Sequence, residues 1–202
     1  MVHGCYDQDT LRTLSELGID TFGFDLRGRS PNLIPFHQLQ NLLKTLSTQK
    51  VNLIFENDKE STVASFLNML QASPVPLTLE FRDQLNLSYY ESFRKPFHWM
   101  FNPTGDWKNI LQSPFLTGVL LPLQHRDSYQ ALPELWEIIE KRNLTMYLHA
   151  ENFHDAELLN QQPNILISLD LGQDVETRFR HVDQDLLKNL KLWRTLDERP
   201  SL

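Results

Sequence analysis

The sequence predicts an α/β fold, a (β/α)8 TIM barrel forming one compact domain over residues 1–202, and three observations predict it. Short apolar runs alternate with longer segments of helical spacing along the whole chain, which is the pattern of repeated βα units around a parallel sheet. Eight such units can be counted, the number that closes a barrel. The 202 residues suffice for one full hydrophobic core and leave little room for a second domain. Periodicity alone does not separate a closed barrel from an open doubly wound sheet; the unit count favours the barrel.

The first strand is expected over Met1 to Cys5, followed by a helix from Asp7 to Leu17 that sets Leu11, Leu14 and Leu17 on one face and stops at Gly18. The second strand runs from Asp20 to Leu26. After the loop Arg27 to Asn32, a helix carries Leu39, Leu42, Leu43 and Leu46. Val51 to Glu56 and Lys59 to Leu70 form the third unit, with Val63, Phe66, Leu67 and Leu70 at helical spacing. Leu77 to Phe81 is the fourth strand and Leu87 to Arg94 its helix. Pro96 marks the entry to the fifth strand, Phe97 to Phe101, whose following connection, Pro103 to Ser113, reads as only partly helical. The strand Leu116 to Leu123, the helix Tyr129 to Lys141, the strand Thr145 to Ala150, the short helix Asp155 to Leu159 and the strand Ile165 to Leu171 follow. Asp183 is the expected N-cap of a closing helix, Gln184 to Leu196, because its carboxylate accepts from the free N–H groups of a first helical turn.

A formal net charge of −7 without clustered Lys and Arg argues against a nucleic-acid partner, since binding the phosphate backbone needs a basic surface. Apolar runs such as Val119-Leu120-Leu121 fall far short of the ~20 residues that cross a bilayer, and no basic segment followed by an apolar one opens the chain. The expectation is a cytoplasmic protein with no membrane partner. Cys5 is the single cysteine, which excludes an intramolecular disulfide and a Cys-rich metal centre. No cofactor is expected, and the sequence names no protein partner.

Alternate strand residues of such a barrel face its interior, and functional sites gather at the C-terminal strand ends. Those ends are polar here: His3, Asp25, Glu56, Glu80, His98, Gln124, His149, Glu151 and Asp170 lie at or near them. One reading makes them a site for a small-molecule ligand at the barrel mouth, with His3, Glu80, His149 and Asp170 as catalytic candidates and Asp25, His98, Gln124 and Glu151 as substrate contacts. The spacing His149-Ala150-Glu151 also suits metal ligands, but it recurs by chance and no metal is assigned. The other reading fills the mouth with mutually bonded polar side chains, since buried charges persist only when paired. His37, His125, His154 and His181 read as surface or loop histidines, and Asp7, Asp9 and Glu16 as helix-end and solvent-face charges. Tyr89, Tyr90, Phe97, Trp99, Phe101 and Trp107 read as core rather than as an aromatic docking surface.

Two segments carry a resemblance. Gly23-Phe24-Asp25-Leu26-Arg27-Gly28-Arg29-Ser30-Pro31-Asn32, followed by Leu33-Ile34, is similar to the phosphoribosylanthranilate isomerase segment that reads Gly-Phe, four variable residues, Lys-Ser-Pro-Arg and two apolar residues. Asp170-Leu171-Gly172-Gln173-Asp174-Val175-Glu176, with Val182-Asp183 beyond it, resembles that family's Asp-Val-Ser-Ser-Gly-Val-Glu and Gly-Val-Lys-Asp. The resemblance implies a TIM barrel and the Amadori isomerisation of tryptophan biosynthesis. It also implies a cysteine base at the end of the first strand and an aspartate acid at the end of the sixth.

Laid on those motifs, this chain departs from them where the chemistry would sit. The base position is His3, with Cys5 two residues later, and the acid position is Pro122. Arg29 stands at the family lysine, and Asn32 at the arginine that would hold the substrate carboxylate, so both join the substrate-binding candidates. The phosphate cradle corresponds to Ala150-Glu151 and Gly172-Gln173-Asp174, which sets carboxylates where a dianion would lie. The expected function is therefore a divergent isomerase-like barrel that has lost the isomerisation and acts as a binding or scaffold protein. The alternatives are an isomerase or lyase of altered specificity and, last, the family reaction itself.

Overall fold

Eight parallel strands close on themselves in the computed structural model, which describes residues 1–125, 132–152, 155, 166–172, 175–178 and 181–189. The strands are β1 (Val2–His3), β2 (Thr21–Asp25), β3 (Lys50–Phe55), β4 (Leu77–Phe81), β5 (Phe97–Met100), β6 (Leu116–Pro122), β7 (Thr145–Ala150) and β8 (Leu166–Asp170). Closure is made by β1, in which Val2 lies opposite Phe22 on one side and Leu169 on the other. Every barrel strand is thereby paired on both sides, and the open-sheet alternative is set aside.

The helices are α1 (Gln8–Glu16), α2 (Phe36–Leu43), α3 (Glu60–Met69), α4 (Leu87–Ser92), α5 (Trp107–Ile110), α6 (Pro133–Lys141) and α7 (Gln184–Asn189). Their starts follow local chemistry. Asp7 accepts from the Thr10 N–H at 2.8 Å, Asn86 from the Tyr89 N–H at 3.0 Å, and Asp183 from the Leu186 N–H at 2.9 Å. Pro133 opens α6, where the missing N–H costs nothing.

The expected elements differ from these mainly at their ends. The first strand stops at His3, because Gly4 takes a left-handed φ of 79° and turns the chain. The fourth helix ends at Ser92, with Arg94 also left-handed at φ 49°. The connection after β5 is helical for one turn only. An antiparallel pair, β9 (Glu176–Arg178) with β10 (His181–Val182), stands between β8 and α7 and was not expected. The helix expected over Asp155 to Leu159, the start expected for α6 at Tyr129, and the end expected for α7 at Leu196 lie outside the described residues apart from Asp155.

The hydrophobic core lies between the outer face of the sheet and the helices. It takes Phe22 and Phe24, Val51, Leu53 and Phe55, Leu79 and Phe81, Phe97 and Trp99, and Val119 and Leu121 from successive strands. Leu11 and Leu14 of α1, Leu39, Leu42 and Leu43 of α2, and Leu135 and Ile139 of α6 pack on them. Of the aromatic residues read as core, Tyr90, Phe97, Trp99 and Phe101 are fully enclosed, Trp107 is buried, and Tyr89 is half-buried against the core; the Phe81 ring meets those of Tyr90 and Phe97 at 4.9 and 5.9 Å. No helix among the described residues is long and apolar enough to cross a membrane.

The residues between those outward ones face the barrel axis, and they are unlike the layers of branched aliphatic side chains that usually fill such a barrel. Gly23, Asn52, Glu80, His98, Gly118, His149 and Ser168 alternate with the apolar set. Ile54 and Leu120 are buried but stand apart from the contiguous hydrophobic core. The two glycines make room for imidazoles. A Cβ at Gly23 would lie 2.0 Å from Cδ2 of His3, and one at Gly118 would lie 2.7 Å from Cδ2 of His98.

Replacing Gly23 by Ala is therefore expected to displace the His3 ring and destabilise the fold by about 1–3 kcal/mol, the usual range for overfilling a packed interior. Urea unfolding of the variant measures this. A midpoint equal to that of the parent would show that His3 does not pack as described.

Candidate functional site

Arg82, one residue beyond β4, organises the barrel axis. One residue, Phe81, separates it from Glu80, so strand alternation sends both side chains inward. Its Nε donates to Glu80 Oε1 at 2.9 Å, while Nη1 and Nη2 donate to Asp170 Oδ2 and Oδ1 at 2.5 and 2.8 Å, a bidentate fork. Nη2 also lies 2.7 Å from Nδ1 of His3. The same Nδ1 is 2.9 Å from Asp170 Oδ1, and His3 Nε2 is 3.0 Å from Glu80 Oε2 as an ion contact out of line for a hydrogen bond. Glu80 is 0% exposed, His3 1%, Arg82 6% and Asp170 17%, so only Asp170 meets the solvent of the mouth to any degree.

Two further pairs extend the cluster. Asn52 Nδ2 donates to Glu80 Oε2 at 3.2 Å and to His98 Nδ1 at 3.0 Å. His149 Nδ1 lies 3.0 Å from the Ser168 hydroxyl, and its Nε2 is 3.8 Å from Asp170 Oδ2. Arg82 is itself held from behind by its neighbour Asp83. The Asp83 carboxylate accepts from the Asn57 N–H and the Tyr90 hydroxyl, both at 2.8 Å, and its carbonyl accepts from Trp99 Nε1 at 3.1 Å.

Burial works against every charge in this cluster, and pairing reverses it in four of them. Burial alone would raise the Glu80 carboxyl, but the charges of His3 and Arg82 hold it well below the usual range. Asp170 is held down in the same way, chiefly by Arg82. Burial would lower His3 and Arg82; instead the charge of Glu80 and the hydrogen bond to Asp170 raise His3, and Asp170 and Glu80 raise Arg82. His98 and His149 have no adequate counter-charge, and burial lowers them to about 4 and about 3, so both are neutral near pH 7. With His3 protonated, two carboxylates balance one guanidinium and one imidazolium.

The structure thus brings together His3, Glu80, His149 and Asp170, with His98 beside them. The other candidates lie elsewhere. Asp25 is buried under the loop that follows β2, accepting from the Arg27 backbone N–H at 3.0 Å, the Arg27 guanidinium at 2.6 Å and the Ser30 hydroxyl at 2.6 Å. Asn32 donates to the Leu171 carbonyl at 2.7 Å and so ties this loop to the end of β8, across Gly4, where a Cβ would lie 2.8 Å from its Nδ2. Arg29 is exposed. Gln124 and Glu151 are exposed and bonded to each other at 3.0 Å. Asp174 and His154 lie outside the described residues, and His37, His125 and His181 are exposed.

Sequence reasoning missed Arg82, Asn52 and Ser168. The signal for Arg82 was its place two residues beyond Glu80; Asn52, between Val51 and Leu53, carried the same alternation. His3, His149 and Asp170 present donor atoms within 4.8 Å of one another, near enough for one metal ion. In this arrangement the Arg82 guanidinium occupies the cation position beside them and uses both oxygens of Asp170.

Solved structures similar to this one include phosphoribosylanthranilate isomerases. Those from Thermus thermophilus and Thermococcus kodakaraensis are 16% and 12% identical to this chain, each with a TM-score of 0.63 and 93% of both chains covered. Monomers generated from the dimeric enzyme of Thermotoga maritima are 15% identical, with a TM-score of 0.65 and the same coverage. At this identity the likeness shows the fold alone. No protein-family model matches the sequence, and no curated protein does.

Two outcomes follow from the cluster. Replacing Arg82 by Met leaves two carboxylates facing one imidazole and is expected to cost about 3–5 kcal/mol in chemical unfolding, most of it recovered when Glu80→Gln and Asp170→Asn are added. An Arg82→Met protein as stable as its parent would remove the cluster from any structural role. The second outcome concerns acid. An unfolded histidine takes up its proton near 6.5, whereas folded His98 and His149 refuse it down to about 4 and about 3. Their contribution is complete above 6.5 and is lost as pH falls towards those values. The shift at His98 alone corresponds to on the order of 3 kcal/mol. Denaturant midpoints followed downward from neutrality should fall steeply in this window, and a flat profile would show that neither ring is held neutral.

Proposed function

We propose that this chain is a phosphoribosylanthranilate isomerase-like barrel that does not carry out the Amadori isomerisation and serves as a non-catalytic binding or scaffold protein. The observation that carries the reading is the commitment of Arg82 to Glu80 and Asp170, with His3 enclosed between the same groups. General acid–base catalysis needs titratable groups that reach the substrate from its two sides. The end of β1 offers His3, whose two ring nitrogens already face carboxylates, and the end of β6 offers Pro122, which has no proton to give.

Cys5 does not restore the base. Its thiol is enclosed in the hydrophobic core, with Val2 O at 3.9 Å as its bonding partner, and burial pushes it far above the usual thiol range. An isomerase or lyase of altered specificity would need Arg82 to leave its three partners, which burial disfavours. In our reading, a small-molecule ligand is met at the rim, where Arg29, Gln124 and Glu151 are exposed, and not along the axis.

Incubating the purified protein with phosphoribosylanthranilate, and expressing it in a tryptophan-requiring strain that lacks the isomerase, tests the proposal. No turnover above the uncatalysed rate and no growth are expected. Conversion that disappears in a His3→Ala variant would overturn it.

A further inference from the structure

The imidazole of His3 makes contacts that no single protonation state satisfies. Its Nδ1 lies 2.9 Å from Asp170 Oδ1 and 2.7 Å from Arg82 Nη2. An Nδ1–H donates to the carboxylate but points at a guanidinium that has no acceptor. A bare Nδ1 accepts from the guanidinium but sets its lone pair against a carboxylate oxygen. Each state therefore repels either Arg82 or Asp170, the two nearest neighbours of Nδ1.

We propose that His3 is a proton-operated toggle on the barrel axis. Protonated, it donates from Nδ1 to Asp170 and releases Arg82 Nη2; neutral, with its proton on Nε2 facing Glu80, it accepts from Nη2 and releases Asp170 Oδ1. In both end states Arg82 and Asp170 keep a partner, and Nε2 carries its proton 3.0 Å from Glu80 Oε2 as an ion contact. Nη2 retains Asp170 when it leaves His3, and Asp170 retains the fork of Arg82 when it leaves His3. The inference depends on this geometry and not on the loss of isomerisation.

The groups facing His3 confine the change to this ring. Glu80 and Arg82 approach from β4 and the loop after it, Asp170 and the Ser168 hydroxyl from β8, the latter at 3.4 Å, and His149 from β7 with ring centroids 6.0 Å apart. Asn52 of β3 is uncharged, Gly23 of β2 has no side chain, and His98 of β5 lies beyond Asn52. His98 and His149 are already neutral well below pH 7, while Glu80 and Asp170 remain ionised. Burial opposes a proton on His3, yet the charge of Glu80 and the bond to Asp170 outweigh it, so the change falls above the ordinary 6.5. The stabilisation that the imidazolium supplies is complete below 6.5 and is lost as pH rises through the folded value. The buried cluster then passes from neutral to a net charge of −1, and the carboxylate released is Asp170, the member that solvent at the mouth can reach.

Two-bond proton–nitrogen correlation spectra of the uniformly 15N-labelled protein, recorded from about pH 5.5 to about pH 9.5, distinguish imidazolium from each neutral tautomer. The expected result is a His3 that is doubly protonated at the acid end and has its midpoint above 6.5. It should keep its proton on Nε2 at the alkaline end, with Arg82 side-chain resonances moving at the same midpoint. Asp170→Asn should lower the proton affinity of His3 by about tenfold or more, the effect of removing one close counter-charge. A His3 that stays in one form throughout, a neutral ring protonated on Nδ1, or Arg82 resonances that do not follow the titration would overturn the proposal. An unchanged midpoint in a folded Asp170→Asn protein would overturn it as well. If that variant does not fold, the titration of the parent protein decides by itself.

Discussion

The guanidinium of Arg82 is the constraint on which the rest of the barrel interior depends. Two carboxylates stand on opposite walls, Glu80 of β4 and Asp170 of β8, and burial pushes each towards its neutral form. A planar cation with donors on three nitrogens bridges them in fixed geometry, which an ammonium group would not do. Once Arg82 is in place, His3 gains two counter-charges and holds a proton. Asn52 completes Glu80, and His98 accepts from Asn52 as a neutral ring. Remove the guanidinium and each of these assignments changes.

What surrounds the cluster serves its placement. Asp83 fixes the chain just beyond β4 by joining the Asn57 backbone, Tyr90 and Trp99, so that Arg82 projects inward instead of following the loop into solvent. Gly23 and Gly118 vacate the space into which the rings of His3 and His98 fit. At the end of β2, Asp25 and Asn32 spend their bonding capacity on the loop that follows, which they tie to its own arginine and to the end of β8. The Ser30-Pro31 segment that resembles an isomerase motif is thus held in this chain by bonds within the protein.

Such an interior is a poor source of stability compared with an aliphatic one, because desolvating charges consumes much of what their attraction returns. What it supplies is definition. Charged groups buried together accept few alternative arrangements, and here the barrel closes through β1, a strand of two residues whose His3 is part of the cluster. The apolar core outside the sheet carries the hydrophobic stabilisation, while the axis sets register and charge balance.

The fold was legible in the sequence because its signals are local. Apolar runs such as Leu77 to Phe81 and Thr145 to Ala150, the capping carboxylates Asp7 and Asp183, and the helical spacing of Leu135 and Ile139 act within one element, and the structure repeats them. The polar axis was half legible, since the alternation Val51-Asn52-Leu53 and Phe97-His98-Trp99 declares an inward polar face even in a sheet covered on both sides. Which of those polar residues meet was not. Arg82 pairs with Asp170 across 88 residues and His3 with Asp170 across 167, and only barrel closure brings β1, β4 and β8 to one axis. Whether the polar ends form an open site or a closed set of ion pairs is a question of ångström distances between distant strands. The sequence alone determined that the C-terminal strand ends would be polar; the tertiary structure decided that the charges there pair with one another across the barrel axis.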